Sequence, residues 1–250
     1  MPKRKTDEQS AGNHVPNIYE RLPKELLVEP KNPNEMDHGM KMNKHACVIG
    51  STGSGKTNLL LDFIRRCCKG QGTFSHITIV TKMEEPLYTY LQSRIPAESL
   101  DIIYGLENCP TMDSEYWESK KTGLNLLVFD DMLSESVKSQ EKYILPYFIR
   151  GRKKGDGISC WYLSQSYYGI PKKIRLQCSY IFLKKVGSNK DINMILRDQS
   201  LGLTRDELQA VYRYALDGDF TNFLLVDLNA SDEKRFRKNW LEVIDIDRFK

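Results

Sequence analysis

Residues Gly50-Ser51-Thr52-Gly53-Ser54-Gly55-Lys56-Thr57 satisfy the pattern GxxxxGK[ST] in full. Gly50, Gly53 and Gly55 carry no side chain that would stop the backbone curling around an anion, so successive N–H groups can turn inward at a β-phosphate. If a helix follows, its N-terminus adds partial positive charge. Lys56 is then placed to reach β- and γ-phosphate oxygens, and the Thr57 hydroxyl to ligate Mg²⁺. The chemistry implied is binding of a nucleoside triphosphate with Mg²⁺.

Two further groups of residues extend that chemistry. Leu124-Asn125-Leu126-Leu127-Val128-Phe129-Asp130-Asp131 is an apolar run ending in adjacent acids. A buried strand of this kind sets its carboxylates at the C-terminal edge of a sheet, where doubly wound folds bind ligands. Asp130 is expected to hold Mg²⁺ through water, and Asp131 to orient or deprotonate the water that attacks the γ-phosphate. A later run, Ile158 to Leu163, ends in Ser164-Gln165-Ser166, where Gln165 is a candidate to hydrogen-bond the γ-phosphate or the lytic water. Arg150 and Arg152 follow the acidic strand and its helix. Either could act on the transferring phosphoryl group from across a subunit interface; a generic basic loop is the competing reading.

These groups need a scaffold, and the hydrophobic pattern describes one. From residue 45 onward short apolar runs alternate with helical periodicity, the signature of a mostly parallel sheet with helices on both faces. Strands are expected at 46–49, 77–80, 100–104, 124–130, 158–163, 179–183 and 222–226. Helices are expected at 56–69, 86–94, 138–150, 191–198 and 204–216, the last opened by Thr204 with Glu207 three residues on. In the first of them Leu60, Phe63, Ile64, Cys67 and Cys68 fall on one face, and Gly70 ends it. Residues 1–43, polar and spaced with prolines, read as a flexible arm, residues 44–228 as the nucleotide-binding domain, and 229–250 as a basic tail or helix. Lys3-Arg4-Lys5 is a possible targeting or nucleic-acid cluster.

Composition narrows the class. The 250 residues, 40% hydrophobic and 28% charged, are enough for one main domain with a full core, so disorder is not the dominant state. No apolar run approaches the ~18 residues of a membrane span, and the polar start MPKRKTDEQS has no secretory apolar stretch, so an intracellular location is expected. The six cysteines form no CxxC pair and the four histidines no ligand spacing, which points to reduced core thiols and away from structural zinc. Net charge is +4, yet the segment from Arg150 to Lys190 holds ten Lys/Arg against the single acid Asp156. Such a concentration is either a solvated face or a surface for phosphate backbones.

GSTGSGKT, LLVFDDM and WYLSQSYYG, in this order and spacing, resemble the FtsK/HerA-type genome-packaging ATPases of large DNA viruses and their virophages, over about residues 44–228. The resemblance implies a P-loop NTPase fold whose sensor strand, ending in Gln165, lies between the phosphate-loop strand and the strand of Asp130. It also implies a homo-oligomeric ring, expected to be a hexamer, that drives double-stranded DNA into a capsid at the host-cell assembly site or in association with the virion, with capsid-vertex or portal components as partners. Cellular relatives usually carry Asp-Glu where this chain has Asp130-Asp131; viral packaging members commonly carry Asp-Asp. A motor that moves any genome must grip phosphates, and Lys153, Lys154, Lys172, Lys173 and Arg175 are the candidate DNA contacts. A P-loop nucleotide or small-molecule kinase and a nucleotide-dependent assembly scaffold remain as alternatives. Guanine selectivity is disfavoured, since no NKxD follows a late strand.

Overall fold

The computed structural model describes residues 15–23 and 31–250; Lys3-Arg4-Lys5 lies outside them. Six strands run parallel, the first five being β1 (Ala46–Ile49), β2 (Phe74–Thr81), β3 (Leu100–Tyr104), β4 (Leu124–Asp130) and β5 (Ile158–Ser164). β6 (Tyr180–Leu183) is parallel to β1, while β7 (Leu224–Asp227), β8 (Phe236–Lys238) and β9 (Glu242–Val243) extend the sheet antiparallel. The order is β3-β2-β4-β5-β1-β6-β7-β8-β9, so β5, which ends next to Gln165, lies between the phosphate-loop strand β1 and the acidic strand β4.

The helices are α1 (Glu35–His38), α2 (Lys56–Cys67), α3 (Pro86–Gln92), α4 (Glu115–Glu118), α5 (Val137–Tyr143), α6 (Leu145–Arg150), α7 (Lys172–Arg175), α8 (Asn189–Asp198) and α9 (Arg205–Leu216). Strand alternation assigns them to two layers. Ala46, Val48, Leu126, Val128 and Trp161 face α2 and α3 through Leu60, Phe63, Ile64, Tyr88 and Leu91. Cys47, Ile49, Leu127, Phe129 and Tyr162 face the opposite way, onto Tyr147, Phe148, Ile174, Ile195 and Val211 of α6, α7, α8 and α9. β4 and β5 are buried along their whole lengths, as continuous apolar runs covered on both faces must be.

Three local expectations change. The helix expected over 138–150 is two, α5 and α6, meeting at Ile144: Pro146 has no N–H to continue the ladder. The segment 229–250 is neither tail nor helix at its centre but supplies β8 and β9. Arg237 points inward there, 8% exposed at the side chain, and pairs with Asp227 at 3.0 Å. The packed unit also begins before residue 44. Asn34 donates to the Cys67 carbonyl at 2.9 Å and to Thr73 Oγ1 at 3.1 Å, and His38, Met40 and Met42 are buried. α9 opens with the expected capping box of Thr204 and Glu207. All six cysteines are free thiols, five of them buried.

Candidate active site

Strand register decides which residues share the site. Ile49 pairs with Ser164 and Asp130 with Leu163, so β1, β4 and β5 all end at one edge of the sheet. The phosphate loop, the two acids and Gln165 leave from that edge together.

The loop has the form of an anion cradle. Gly53 and Gly55 take positive φ of 72° and 85°, which a side chain would strain, and nothing lies within 4 Å of where a Gly53 Cβ would point. At Gly50 a Cβ would meet Ser54 Oγ, and would lie 2.7 Å from Lys184 Cβ. The loop is tied down from Ser51, whose N–H and hydroxyl both donate to the Lys185 carbonyl at 2.8 and 3.0 Å. Gly55 caps α2 without a side-chain hydrogen bond, and the first turn holds no acid, so its amide donors and its dipole are left for an external anion. Ser54 Oγ is buried without a partner. Lys56 Nζ folds back onto the Gly50 and Ser51 carbonyls at 2.9 and 3.2 Å. Burial lowers the pKa of this ammonium, against the pull of Asp130, Asp131 and Glu85.

Asp130 is buried at the end of β4, and the Tyr88 hydroxyl donates to its Oδ2 at 2.5 Å. Burial raises its pKa from 3.8 to about 6; the Tyr88 hydrogen bond opposes this, Glu85 and Asp131 reinforce it, and Lys56 opposes it. Asp131 is exposed and adopts left-handed backbone with φ 55°, uncommon for a non-glycine residue, which turns the chain sharply after the strand. Gln165 Nε2 donates to Asp131 Oδ1 at 3.3 Å, so Gln165 and the second acid meet across β4 and β5. On the other side of the loop that follows β5, Ser166 Oγ and the Tyr168 N–H donate to buried Asp191 Oδ1 at 2.8 and 3.1 Å.

Two residues at this edge are new relative to the sequence reading. Thr57 Oγ1 donates to Glu85 Oε2 at 3.1 Å, and Tyr88, one turn further along α3, holds Asp130. Their signal was present as Glu84-Glu85-Pro86, an acidic pair in the short loop between an apolar strand and a proline-started helix. Its meaning depends on β2 lying beside β4. Mg²⁺ typically takes one or two carboxylates together with substrate phosphates. Thr57, Asp130 and the nearby Glu85 form an oxygen-only donor set of that type, so the residues present fit the ion.

The basic candidates separate. Arg150, Arg152, Lys153 and Lys154 precede β5, at the opposite sheet edge from the phosphate loop. Arg152 lies close enough to His45, just before β1, to help burial push that imidazole down to about 4. Across a strand of this length, ~20 Å, neither arginine serves the phosphate loop of its own chain. Lys154 pairs with Glu118 at 2.9 Å and Lys173 with Glu141 at 3.0 Å, while Arg152, Lys153, Lys172 and Lys173 are exposed. Arg175 is a correction. It is buried, ion-paired to Asp198 at 2.6 Å with both side chains at most 6% exposed, and bonded to the Ile170 carbonyl at 2.6 Å. Its charge is used to join α7 to α8 and is not offered to DNA.

Comparisons place the fold. The genome-packaging NTPase B204 of Sulfolobus turreted icosahedral virus 2, solved with ATP-gammaS, superposes with a TM-score of 0.55 at 14% identity, covering 82% of this chain and 100% of that one. B204 of Sulfolobus turreted icosahedral virus, described as its DNA-packaging ATPase, gives 0.55 at 15% identity, covering 81% and 99%. The cytoplasmic domain of the Thermomonospora curvata type VII secretion ATPase EccC gives 0.51 at 13% identity, covering 80% of this chain and 25% of that one. At these identities the likeness is one of fold. No curated protein matches by sequence. Residues 35–215, however, match the family described as Poxvirus A32 protein, beginning in the packed segment ahead of β1. By that match over most of its length, and by the three motifs now seen at one sheet edge, the chain belongs to the Poxvirus A32 protein family, as an FtsK/HerA-type packaging ATPase.

Proposed function

We propose that this chain hydrolyses ATP to move double-stranded DNA into a capsid during virion assembly. The observation that carries the reading is the meeting of Gln165 with Asp131 beside the phosphate loop, in a chain of this family. The loop amides and the α2 N-terminus hold the phosphates, and Lys56 swings from the Gly50 and Ser51 carbonyls to the β- and γ-phosphate oxygens. Thr57 and Asp130 would hold Mg²⁺, which would supply neutralisation of charge on those oxygens. Asp131 orients the lytic water and takes its proton as the water oxygen bonds to the γ-phosphorus and the bridge to ADP breaks. Gln165 registers the loss of the γ-phosphate.

In this reading the chain works as a ring, expected to be a hexamer. Arg150 or Arg152 of one subunit then approaches the phosphate loop of the next, consistent with their distance from their own. Lys153, Lys154, Lys172 and Lys173 are the proposed DNA contacts, and capsid-vertex or portal components the proposed partners, at the site of virus assembly in the host cell. Among the described residues no helix is long and apolar enough to cross a membrane.

The test is phosphate release by the full chain with and without long duplex DNA, alongside Lys56→Ala and Asp131→Asn. DNA stimulation of the native chain, abolished in both variants, is the expected result. Transfer of phosphate to a small acceptor would instead identify a kinase, and tight nucleotide binding without turnover a scaffold.

A further inference from the structure

The phosphate loop and its acids account for the triphosphate end of a nucleotide and leave the base without a site. Asp130, Asp131 and Gln165 lie on the β4 and β5 side of β1. A triphosphate whose γ end faces them must direct its nucleoside the other way, toward β6 and β7. On that side the loop between α9 and β7 carries Phe220, an aromatic side chain with the residue 76% exposed. Its Cε2 lies 3.9 Å from where a Cβ on Gly55 would stand, beside the end of the phosphate loop.

This loop is held firmly although its ring is free. Asp219 Oδ1 accepts from both the N–H and the hydroxyl of Thr221 at 2.7 Å, and Asn222 Nδ2 donates to the Asp217 carbonyl at 2.7 Å. Asn239 Nδ2 ties Asn222 to the strand end at 2.9 Å. Lys184, at the end of β6 and 1% exposed, donates to the Phe220 and Asn222 carbonyls at 2.7 and 3.0 Å. The same side chain passes within 3.6 Å of the Gly55 Cβ position and 2.7 Å of that of Gly50. One buried lysine therefore fixes the Phe220 loop against both ends of the phosphate loop. An exposed ring on a fixed backbone offers a flat apolar face at low ordering cost. Asn58 and Thr221, which line one cavity of about 830 Å³, supply polar groups near the same place.

We infer that Phe220 is the wall on which the purine base of the bound nucleotide stacks, with Lys184 as the residue that positions it. This rests on the reading of residues 50–57 as the triphosphate site. Binding of ATP and of inorganic tripolyphosphate, each with Mg²⁺, is to be measured by calorimetry on the full chain. The native chain should bind ATP more tightly. Phe220→Ala should lose about tenfold in ATP affinity, the size of one base–aromatic stack, with tripolyphosphate unchanged. Phe220→Trp should keep the affinity, and its emission should be quenched by ATP and not by tripolyphosphate. An unchanged ATP affinity in Phe220→Ala, an equal loss for both ligands, or native binding that is equal for the two would overturn the assignment while leaving the phosphate site standing. Native chain that binds neither ligand overturns the phosphate site, and this inference with it.

Discussion

Asp130→Asn should make the metal-free chain more stable near neutral pH while destroying its response to Mg²⁺ and ATP. In the folded chain burial lifts the Asp130 carboxyl from 3.8 to about 6, the Tyr88 hydroxyl limiting the rise and Glu85 and Asp131 adding to it. A carboxyl raised on folding contributes stability that is fully present below its unfolded value near 4, and that contribution is lost as pH rises through about 6. Ionising Asp130 in the folded chain therefore costs up to about 3 kcal/mol at pH above 7, from a difference of about two pH units. Asparagine removes the charge and keeps an oxygen to accept from Tyr88. Thermal unfolding with EDTA should show the variant more stable by ~2–3 kcal/mol at about pH 8, a midpoint shift of roughly 5–10 °C for a chain of this length. At about pH 4 the difference should disappear. Equal stability at the higher pH, or the same gain at both, would refute the electrostatic account of this site.

Lys56→Ala should lower ATP turnover by at least ~10²-fold, as expected for a donor aimed at transition-state charge. Its unfolding midpoint should not fall, because burial of the ammonium outweighs the pull of Asp130, Asp131 and Glu85; phosphate release and thermal unfolding check the two halves. Glu85→Gln should raise the Mg²⁺ concentration for half-maximal turnover and lower the maximum about tenfold or more, with metal-free ATP binding unchanged, since Glu85 acts through Thr57. Arg175→Ala leaves Asp198, whose side chain is 2% exposed, with only the longer contact to Arg197 at 3.6 Å, and should destabilise the chain by ~3 kcal/mol in urea unfolding. Charge reversal of Lys172 and Lys173 should stay within about 0.5 kcal/mol in the same assay, and should weaken DNA-stimulated turnover more than basal turnover.

What could be read from the sequence was local. Gly53 and Gly55 declare a loop that needs positive φ, and the uninterrupted apolar run into Asp130 declares a strand buried on both faces. What could not be read depends on which strands become neighbours. Glu85 enters the site because β2 lies beside β4, and nothing in Glu84-Glu85-Pro86 states that adjacency. Arg175 looks like its basic neighbours in composition, yet its partner Asp198 is brought to it by the packing of α7 on α8. Arg237 defeated the polar reading of the C-terminal segment for a related reason. An inward arginine is tolerable only where Asp227 and the Gly39 and Trp240 carbonyls already wait, and those come from three separate parts of the chain.

The electrostatics of the site account for why it should bind a magnesium-bound triphosphate in particular. Its cationic features are only partly answered among the described residues: Lys56 hydrogen-bonds carbonyls and feels the acids Asp130, Asp131 and Glu85 without an ion pair, and the α2 N-terminus has neither a side-chain cap nor an acid in its first turn. Its anionic features crowd one another, since Asp130 is raised by burial and by Glu85 and Asp131. An anion alone would satisfy the first set and aggravate the second; a cation alone would do the reverse. A triphosphate carrying a divalent cation would answer both at once, Lys56 and the loop amides being the groups that would hold its oxygens and Thr57 and Asp130 those that would hold its metal. Affinity for either ion should therefore depend on the other, and the stability lost to burying Asp130 ionised should return as the cation binds.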